Sequence, residues 1–214
     1  MKQLNMRKHN TNGRLITFCG LDGCGKSTMI SMLSDLLQED DTPVFLTKQP
    51  TDFVRQTQIW KTYMDQPDHD DYDYRSLSLL AASDRIQHSN RVIMKELSAG
   101  KTVISDRYFY SCLANLRARS YTNDMWIYEI AQSIPKPDLA FFLDVPVELA
   151  VKRVRTRPEE RYRYIDIDLQ YRLKGEYLKL AETNGGIIIP SDGSAAATFE
   201  RVLSYIKDGG GSNG

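Results

Sequence analysis

The stretch Gly20-Leu21-Asp22-Gly23-Cys24-Gly25-Lys26-Ser27-Thr28 decides the fold of this chain. It has the pattern G-x-x-x-x-G-K-S, whose glycines let the backbone turn sharply and point its N–H groups at one anion. A short apolar run, residues 15–19, precedes it, and apolar residues recur at helical spacing from Met29 onward. The pattern therefore predicts a phosphate-binding loop between a strand and a helix, and with it a nucleoside triphosphate site. The alternative interpretation is a glycine turn that carries a lysine by chance.

The residue types of this loop suit a bound triphosphate. A helix that begins near Lys26 directs the positive end of its dipole at the glycine cradle. The Lys26 ammonium can reach the outer phosphates, and the Ser27 hydroxyl can hold Mg²⁺. We therefore expect all nine residues of the loop to contribute to the triphosphate site, namely Gly20, Leu21, Asp22, Gly23, Cys24, Gly25, Lys26, Ser27 and Thr28.

Composition limits the class of protein. The chain has 214 residues, with 28 Lys and Arg against 28 Asp and Glu. This balance gives no reason to expect binding to nucleic acid or to an anionic membrane. Residues 1–13 are polar and lack the apolar core of a secretory signal, and the three cysteines are too few and too scattered for a disulfide framework. We expect a cytoplasmic domain without a membrane span.

Apolar runs alternate with helical patterns along the rest of the chain, as in a buried parallel sheet. The sequence predicts a three-layer α/β/α sandwich of the P-loop NTPase type, with a five-stranded parallel sheet. The domain is expected to span residues 14–207, between a flexible segment at 1–13 and a flexible Gly-rich tail at 208–214. The strands are expected at 15–19, 44–47, 102–105, 139–144 and 186–190.

Polar groups follow the predicted strands, at the edge where open α/β sheets place their ligands. Gln49 follows the second strand and Asp106-Arg107 the third. A long helix predicted over 75–97 carries Arg85, and an arginine-rich segment, which we name the lid, spans 153–166. The acidic stretch 65–73 has no regular ligand spacing, so it favours a solvated loop over a metal site.

Two classes of triphosphate-binding protein compete at this point. One is a phosphotransferase that acts on a small acceptor, and the other is a switch or motor that acts through a protein partner. The guanine-specific Asn-Lys-x-Asp motif does not occur, and the strand-end acid Asp144 comes late in the chain. A small-acceptor kinase needs basic groups for the acceptor phosphate and for the transferred phosphoryl group. Arg85, Arg107 and the lid arginines supply both sets.

Several stretches, in order, resemble the thymidylate kinase family of nucleoside monophosphate kinases. The loop region 18–28 resembles the family's phosphate loop, and Leu79-Leu80-Ala81-Ala82-Ser83-Asp84-Arg85 resembles its acceptor-helix motif. Val103-Ile104-Ser105-Asp106-Arg107-Tyr108 resembles its Asp-Arg-Tyr motif. Leu143-Asp144-Val145-Pro146 and the lid also match in order. The resemblance covers about residues 14–207.

That resemblance implies transfer of the ATP γ-phosphoryl group to a deoxynucleoside 5′-monophosphate, most simply dTMP, with Mg²⁺. Ser27 and Asp106 would hold the metal, and Lys26 and the loop N–H groups would hold ATP. For the acceptor, the resemblance implies that Asp22 contacts the sugar 3′-hydroxyl, Arg85 the base and Arg107 the phosphate. It also implies further acceptor contacts from Gln49, Asp106, Cys112 and Asn115.

Gly23 stands where some members of the family place a loop arginine. The transition-state arginine is therefore expected from the lid, with Arg157 and Arg161 as the candidates and Arg155 and Arg163 left open. The resemblance also implies a homodimer, although the apolar helix positions suit ordinary packing equally well.

The departures from the family pattern lie around the acceptor. Gln49 replaces an acidic residue, Ala81 replaces an aromatic ring that stacks on thymine, and Cys112 and Asn115 are also unusual. Other aromatic residues, such as Phe53, Tyr63 or Phe109, are candidates to compensate for the ring that Ala81 lacks. A shifted acceptor, another pyrimidine or a modified monophosphate, is the alternative that these departures raise.

Simpler interpretations remain open at this stage. Arg85 could pair with Asp84 or with the acidic stretch 65–73 on the helix surface. Asp106 and Arg107 could form a structural ion pair that caps the next helix. Any single lid arginine could belong to a solvated face, because the lid also carries Glu159 and Glu160.

Overall fold

The computed structural model describes residues 2–68 and 71–208, apart from the side chains of Asp65 and Asp208. The described strands are β1 (Arg14–Cys19), β2 (Val44–Lys48), β3 (Thr102–Asp106), β4 (Leu139–Asp144) and β5 (Ile187–Pro190). They form one parallel sheet in the order β2-β3-β1-β4-β5. The predicted α/β fold with a five-stranded parallel sheet is confirmed.

Helices cover both faces of the sheet. The described helices are α1 (Lys26–Glu39), α2 (Asp52–Arg55), α3 (Gln58–Asp65), α4 (Tyr74–His88), α5 (Met94–Ser98), α6 (Tyr110–Ala118), α7 (Trp126–Ala131), α8 (Val147–Arg155), α9 (Ile167–Asn184) and α10 (Ala195–Asp208). Helices α1 and α10 pack together on one face, and α4, α6 and α9 pack on the other. Among the described residues, none of these helices combines the length and apolar character that crossing a bilayer requires.

The central strands are apolar on both faces because both faces are covered by helices. Leu15, Phe18 and Phe141 are fully buried, and the Phe18 and Phe141 rings stack with centroids 5.1 Å apart. In the register of the sheet, Phe18 of β1 lies beside Asp106 of β3. The phosphate loop after β1 and Arg107 after β3 therefore leave the sheet side by side.

The long helix predicted over 75–97 is interrupted. Helix α4 is followed directly by a π-helical turn, Ser89–Ile93, and then by α5. A π-helical turn inside a helix is often found at functional sites. Here it follows His88, whose ring contacts the end of β2.

The N-terminal segment differs from the expectation that residues 1–13 would be flexible. Leu4 and Met6 are buried, and the Leu4 N–H donates to the Asn184 side chain at 2.8 Å. Arg7 exchanges backbone hydrogen bonds with Ile134 and with residue 136. The physical reason is the alternation of two apolar side chains with polar ones, which lets this short segment bury one face. The predicted flexible tail, from residue 209 onward, lies outside the described residues.

Candidate active site

Backbone conformation makes residues 20–25 an anion-binding loop. Gly20, Gly23 and Gly25 all have φ between +82° and +137°, which disfavours residues with a side chain. A Cβ atom on Gly23 would lie 2.2 Å from the carbonyl oxygen of Ala150. The loop leads directly into α1, whose first turn has no side-chain cap and no acidic residue. Its free N–H groups and helix dipole therefore favour a bound phosphate.

Lys26 lies inside this loop. Its side chain is 6% exposed, and its ammonium donates to the carbonyl oxygens of Gly20 at 3.3 Å and Leu21 at 2.7 Å. The ammonium is thus held over the cradle by two neutral acceptors. An anionic phosphate is a stronger partner for it than either carbonyl.

Arg107 lies next to Lys26. Its backbone has a positive φ of +65°. Two hydrogen bonds hold this conformation: the Arg107 N–H donates to the Phe18 carbonyl, and the Ser105 hydroxyl donates to the Arg107 carbonyl. A strained backbone at a strand end is typical of functional sites. The guanidinium donates to the Gly20 carbonyl at 3.2 Å, so that the Lys26 and Arg107 side chains share one acceptor.

An ion pair orients the Arg107 guanidinium. It contacts the Asp22 carboxylate at 2.5 Å and the Tyr177 hydroxyl at 3.0 Å. Burial raises the pKa of the Asp22 carboxyl, yet the positive charges around it, Arg107 foremost, outweigh burial and hold that pKa well below its usual range. Burial lowers the pKa of the Arg107 guanidinium, but Asp22 more than restores it, so that the pKa lies well above its usual value. Both groups therefore stay charged at neutral pH.

One cavity of about 690 Å³ opens between the phosphate loop, α4, α6, α9 and the lid. Among the described residues, its wall carries six arginines and three acidic residues: Arg55, Arg85, Arg107, Arg119, Arg163 and Arg172 against Asp22, Glu160 and Asp166. This excess of positive charge favours a highly anionic ligand. The volume is that of a ligand site rather than of a packing defect.

Helices α4 and α6 form part of the cavity wall. Arg85 is 3% exposed there, donates to the Ala81 carbonyl at 3.0 Å, and leaves its Nε without a hydrogen-bond partner. Asp84 accepts instead from Thr51, so the pairing of Arg85 with Asp84 that the sequence left open does not form. A buried guanidinium with an unused donor points to a ligand acceptor group.

Cys112 and Asn115 line the same cavity, as predicted. Burial raises the pKa of the Cys112 thiol, so it faces the cavity as a neutral group. The Asn115 side-chain oxygen accepts from Arg119 at 2.8 Å. The Arg119 guanidinium in turn stacks over the Tyr74 ring, 4.1 Å from its centroid.

Aromatic side chains also surround the small Ala81. Tyr63, Tyr74 and Tyr121 line the cavity, and Tyr63 is one of the three residues expected to compensate for Ala81. The other two lie elsewhere, since Phe53 is 73% exposed and Phe109 is fully buried in the core.

Gln49 does not reach the cavity, contrary to its predicted place among the acceptor contacts. Its side chain is fully buried and its amide lies 3.0 Å from the Ser89 hydroxyl and 3.1 Å from His88 Nδ1. The physical reason is that the π-helical turn after α4 presents these polar groups toward the end of β2. Gln49 therefore fastens the end of β2 to the α4 terminus and the π-helical turn, outside the cavity.

Ser27 and Asp106 lie together, as the metal prediction requires, but in a smaller adjoining cavity between α1 and β2. Asp106 does not line the larger cavity. Its buried Oδ1 has no hydrogen-bond partner, which makes it a suitable oxygen ligand for a hard cation. The described residues contain no cluster of three or more His, Cys, Asp or Glu side chains with metal-binding geometry. One hydroxyl and one carboxylate suit Mg²⁺, which usually takes its other ligands from water and substrate phosphates.

The lid brings Arg163, not the two candidates named from sequence, to the phosphate loop. Its guanidinium contacts Asp22 at 3.2 Å and Glu160 at 2.7 Å. Arg157 and Arg161 are exposed and do not line the cavity, so their catalytic role stays a prediction.

Three of the six cavity arginines were not predicted from the sequence, namely Arg55, Arg119 and Arg172. Arg55 follows the Pro50-Thr51 segment at the end of β2, which was a signal that could have been used. Arg119 lies one helical turn after Asn115, so helical spacing could have indicated it.

Comparison with known proteins agrees with this geometry. The model of the thymidylate kinase family matches residues 18–201. A probable thymidylate kinase of Pyrococcus abyssi is 35% identical over 201 residues, which are 91% of this chain and 96% of the relative. A probable thymidylate kinase of Pyrococcus horikoshii is 36% identical over 172 residues, 79% of this chain and 83% of the relative. A thymidylate kinase of Geobacillus sp. (strain WCH70) is 31% identical over 207 residues, 92% of this chain and 97% of the relative. The chain belongs to the thymidylate kinase family and is a nucleoside monophosphate kinase, a phosphotransferase.

Proposed function

We propose that this cleft transfers the γ-phosphoryl group of ATP to the 5′-phosphate of dTMP, giving dTDP and ADP. The observation that carries the proposal is the Gly20 carbonyl, which accepts from both the Lys26 ammonium and the Arg107 guanidinium. Gly20 and Arg107 line the larger cavity, so the two cations lie together at its phosphate-loop wall. Two phosphates held by these two cations would lie close enough for direct transfer. Positioning and charge neutralisation are the main sources of rate in such a reaction.

The donor end is the phosphate loop. Its N–H groups and the amino end of α1 would bind the β- and γ-phosphates of ATP, and Lys26 would leave its carbonyl acceptors for them. Bound Mg²⁺ would neutralise charge on the phosphates. Ser27 and Asp106 are positioned to hold it, since both line the smaller cavity beside the loop.

The acceptor end has arginines for both the phosphate and the base of the monophosphate. Arg107 and Arg55 would bind the monophosphate, because both face the cavity and neither donates all of its N–H groups in the described structure. The unused Nε of Arg85 would donate to a carbonyl oxygen of the base. Asp22 would keep Arg107 oriented, and its predicted contact with the sugar 3′-hydroxyl requires release of Arg163.

Arg163 would stabilise the transferred phosphoryl group. This lid residue already contacts Asp22 in the phosphate loop. A small shift would direct its guanidinium at an anion bound there. A planar guanidinium suits this role better than an ammonium, because it donates two parallel hydrogen bonds to phosphate oxygens.

The test is steady-state phosphorylation of dTMP, dUMP, UMP and dCMP with ATP and Mg²⁺, with diphosphates separated by ion-exchange chromatography. We expect dTMP to have the highest kcat/KM. ATP hydrolysis without any diphosphate product would contradict a phosphotransferase and favour a triphosphate switch. A clear preference for another monophosphate would restore the shifted-acceptor alternative.

We further propose a cytoplasmic homodimer whose ligands are nucleotides rather than nucleic acid or membrane. Support for the dimer comes from two large apolar side chains on the neighbouring helices α2 and α4, Phe53 and Leu79, which are 73% and 46% exposed. Light scattering during size exclusion measures the mass directly, and a monomer at micromolar concentration would contradict the dimer.

A further inference from the structure

The end of β2 is fastened to α4 by side chains outside the cavity. The Asp84 carboxylate accepts the Thr51 N–H at 2.8 Å and the Thr51 hydroxyl at 2.5 Å. One turn further along α4, His88 contacts both Thr47 and Gln49. We call the Asp84–Thr51 pair the β2 clamp.

The clamp is connected to a cavity arginine by a short path. Thr51 is the N-cap of α2, where its hydroxyl accepts from the Phe53 N–H at 3.3 Å. Arg55, at the end of the same helix, donates its Nε to the Pro50 carbonyl at 2.8 Å. Because α2 has only four residues, the position of Thr51 determines where the Arg55 guanidinium lies.

Arg55 shares the cavity with a second cation, Arg107, and the carboxylates of Asp106 and Asp22 offset that repulsion only in part. Burial and then the neighbouring Arg107 lower the pKa of its guanidinium. It has no ion-pair partner within residues 2–68 and 71–208, and its guanidinium lies over the Trp60 ring, 5.2 Å from the centroid. Two like charges that face one cavity stay close only if the backbone holds each of them in place.

We propose that Asp84 is a positioning residue that sets Arg55 against the acceptor phosphate through Thr51, an inference that rests on the proposed function. Asp84 is 7% exposed and does not line the cavity, so it acts without contact with substrate. Its two carboxylate oxygens both face one residue, an arrangement that fixes the rotation of the α2 start as well as its distance from α4.

The proposal predicts that the KM for dTMP rises while the KM for ATP does not. Asp84→Ala removes both clamp bonds, and we expect the KM for dTMP to increase about tenfold or more, since a displacement of about 1 Å can cost on the order of 100-fold. Asp84→Asn keeps one accepting oxygen for the Thr51 N–H and should recover most of the loss. Thr51→Val removes the hydroxyl bond to Asp84 and the weaker N-cap bond from the Phe53 N–H, but keeps the Thr51 N–H bond to Asp84. It carries the test if Asp84→Ala fails to fold.

A second arm asks whether Asp84 acts through Arg55. In an Arg55→Ala background, Asp84→Ala should change the KM for dTMP by less than about twofold, because the residue it positions is gone.

Asp138→Ala is the matched control. Its carboxylate accepts the Leu15 N–H at 2.7 Å and contacts His9, a comparable set of bonds at the amino-terminal ends of β1 and β4. We expect it to lower the melting temperature without changing the KM for dTMP.

The outcomes separate this inference from the proposed function. An active wild type with an unchanged KM in Asp84→Ala, or an equal increase with and without Arg55, would overturn the clamp alone. A wild-type chain that phosphorylates no monophosphate would overturn both.

Discussion

Replacing Arg163 with methionine tests which lid arginine serves the transferred phosphoryl group. In the described structure Arg163 contacts Asp22 at 3.2 Å and Glu160 at 2.7 Å, and its side chain is 23% exposed. Methionine keeps most of the side-chain length and removes the charge. The variant therefore isolates the guanidinium from the packing of its stem.

The structure sets different magnitudes for stability and rate. Asp22, Glu160 and Arg163 are all partly exposed, so the loss of the two ion pairs should together cost about 1 kcal/mol in the free energy of unfolding. That is a change in melting temperature of roughly 2–4 °C for a chain of this size. A preorganised donor aimed at charge that develops in the transition state is worth about 2.7–4 kcal/mol, so kcat should fall about 100- to 1,000-fold.

The assay is kcat at saturating ATP and dTMP, with Arg161→Met and Arg157→Met as matched controls. Both control residues lie in the same lid, and within the described part of the chain the Arg161 guanidinium contacts only the neighbouring Tyr162 ring, 5.6 Å from its centroid. We expect both controls to stay within about threefold of wild type, the change of a surface charge. A 100-fold loss in either control with Arg163→Met near wild type would refute this reasoning and support the lid candidates that the sequence suggested.

Four further outcomes follow from the same geometry. Arg107→Ala should abolish phosphorylation while the Kd for ATP, measured by calorimetry, stays within about threefold; an equal loss of ATP binding would show that Arg107 serves the donor. Gly23→Ala should weaken ATP binding by about fivefold or more, because positive φ alone costs about 1–2 kcal/mol and the new Cβ would meet the Ala150 carbonyl; unchanged affinity would mean that the loop adapts. Burial lowers the pKa of His88, so the folded chain keeps it neutral while the unfolded chain takes up a proton below about pH 6.5. The free energy of unfolding should therefore fall as pH decreases from about 6.5, by at most about 1.4 kcal/mol per pH unit from this group, and His88→Gln should remove that part in denaturant titrations; an identical pH profile in the variant would contradict it. Removing divalent cations with EDTA should abolish phosphorylation and added Mg²⁺ should restore it; full activity in EDTA would exclude the proposed role of the metal.

The parts of the site that sequence predicted are those fixed by local pattern and strand order. The loop at 20–28 needs only its glycines and the start of α1, and Arg107 needs only the adjacency of β3 to β1. Arg85, Cys112 and Asn115 reached the cavity as expected because helical spacing fixes which side of α4 and α6 they occupy.

The parts that sequence did not predict depend on the direction of individual side chains. Gln49 turns into the protein because a π-helical turn presents Ser89 to it. The spacing of apolar residues in the sequence does not predict such a turn. The lid backbone between α8 and α9 is largely irregular, so no repeat indicates that Arg163 rather than Arg161 faces the loop. For the N-terminal segment the signal existed, since Leu4 and Met6 alternate with polar residues, but two apolar side chains are a weak pattern.

The central claim, that both phosphates meet in one cleft, is tested most directly by a ligand in which adenosine and thymidine are joined through a chain of five phosphates. Calorimetry should show one molecule bound per chain, at least 100-fold more tightly than ATP or dTMP alone, because linking two ligands that occupy adjacent sites avoids the second loss of translational freedom. Affinity no higher than that of the better single nucleotide would show that the Lys26 loop and Arg107 do not serve two phosphates in line, and would contradict the account.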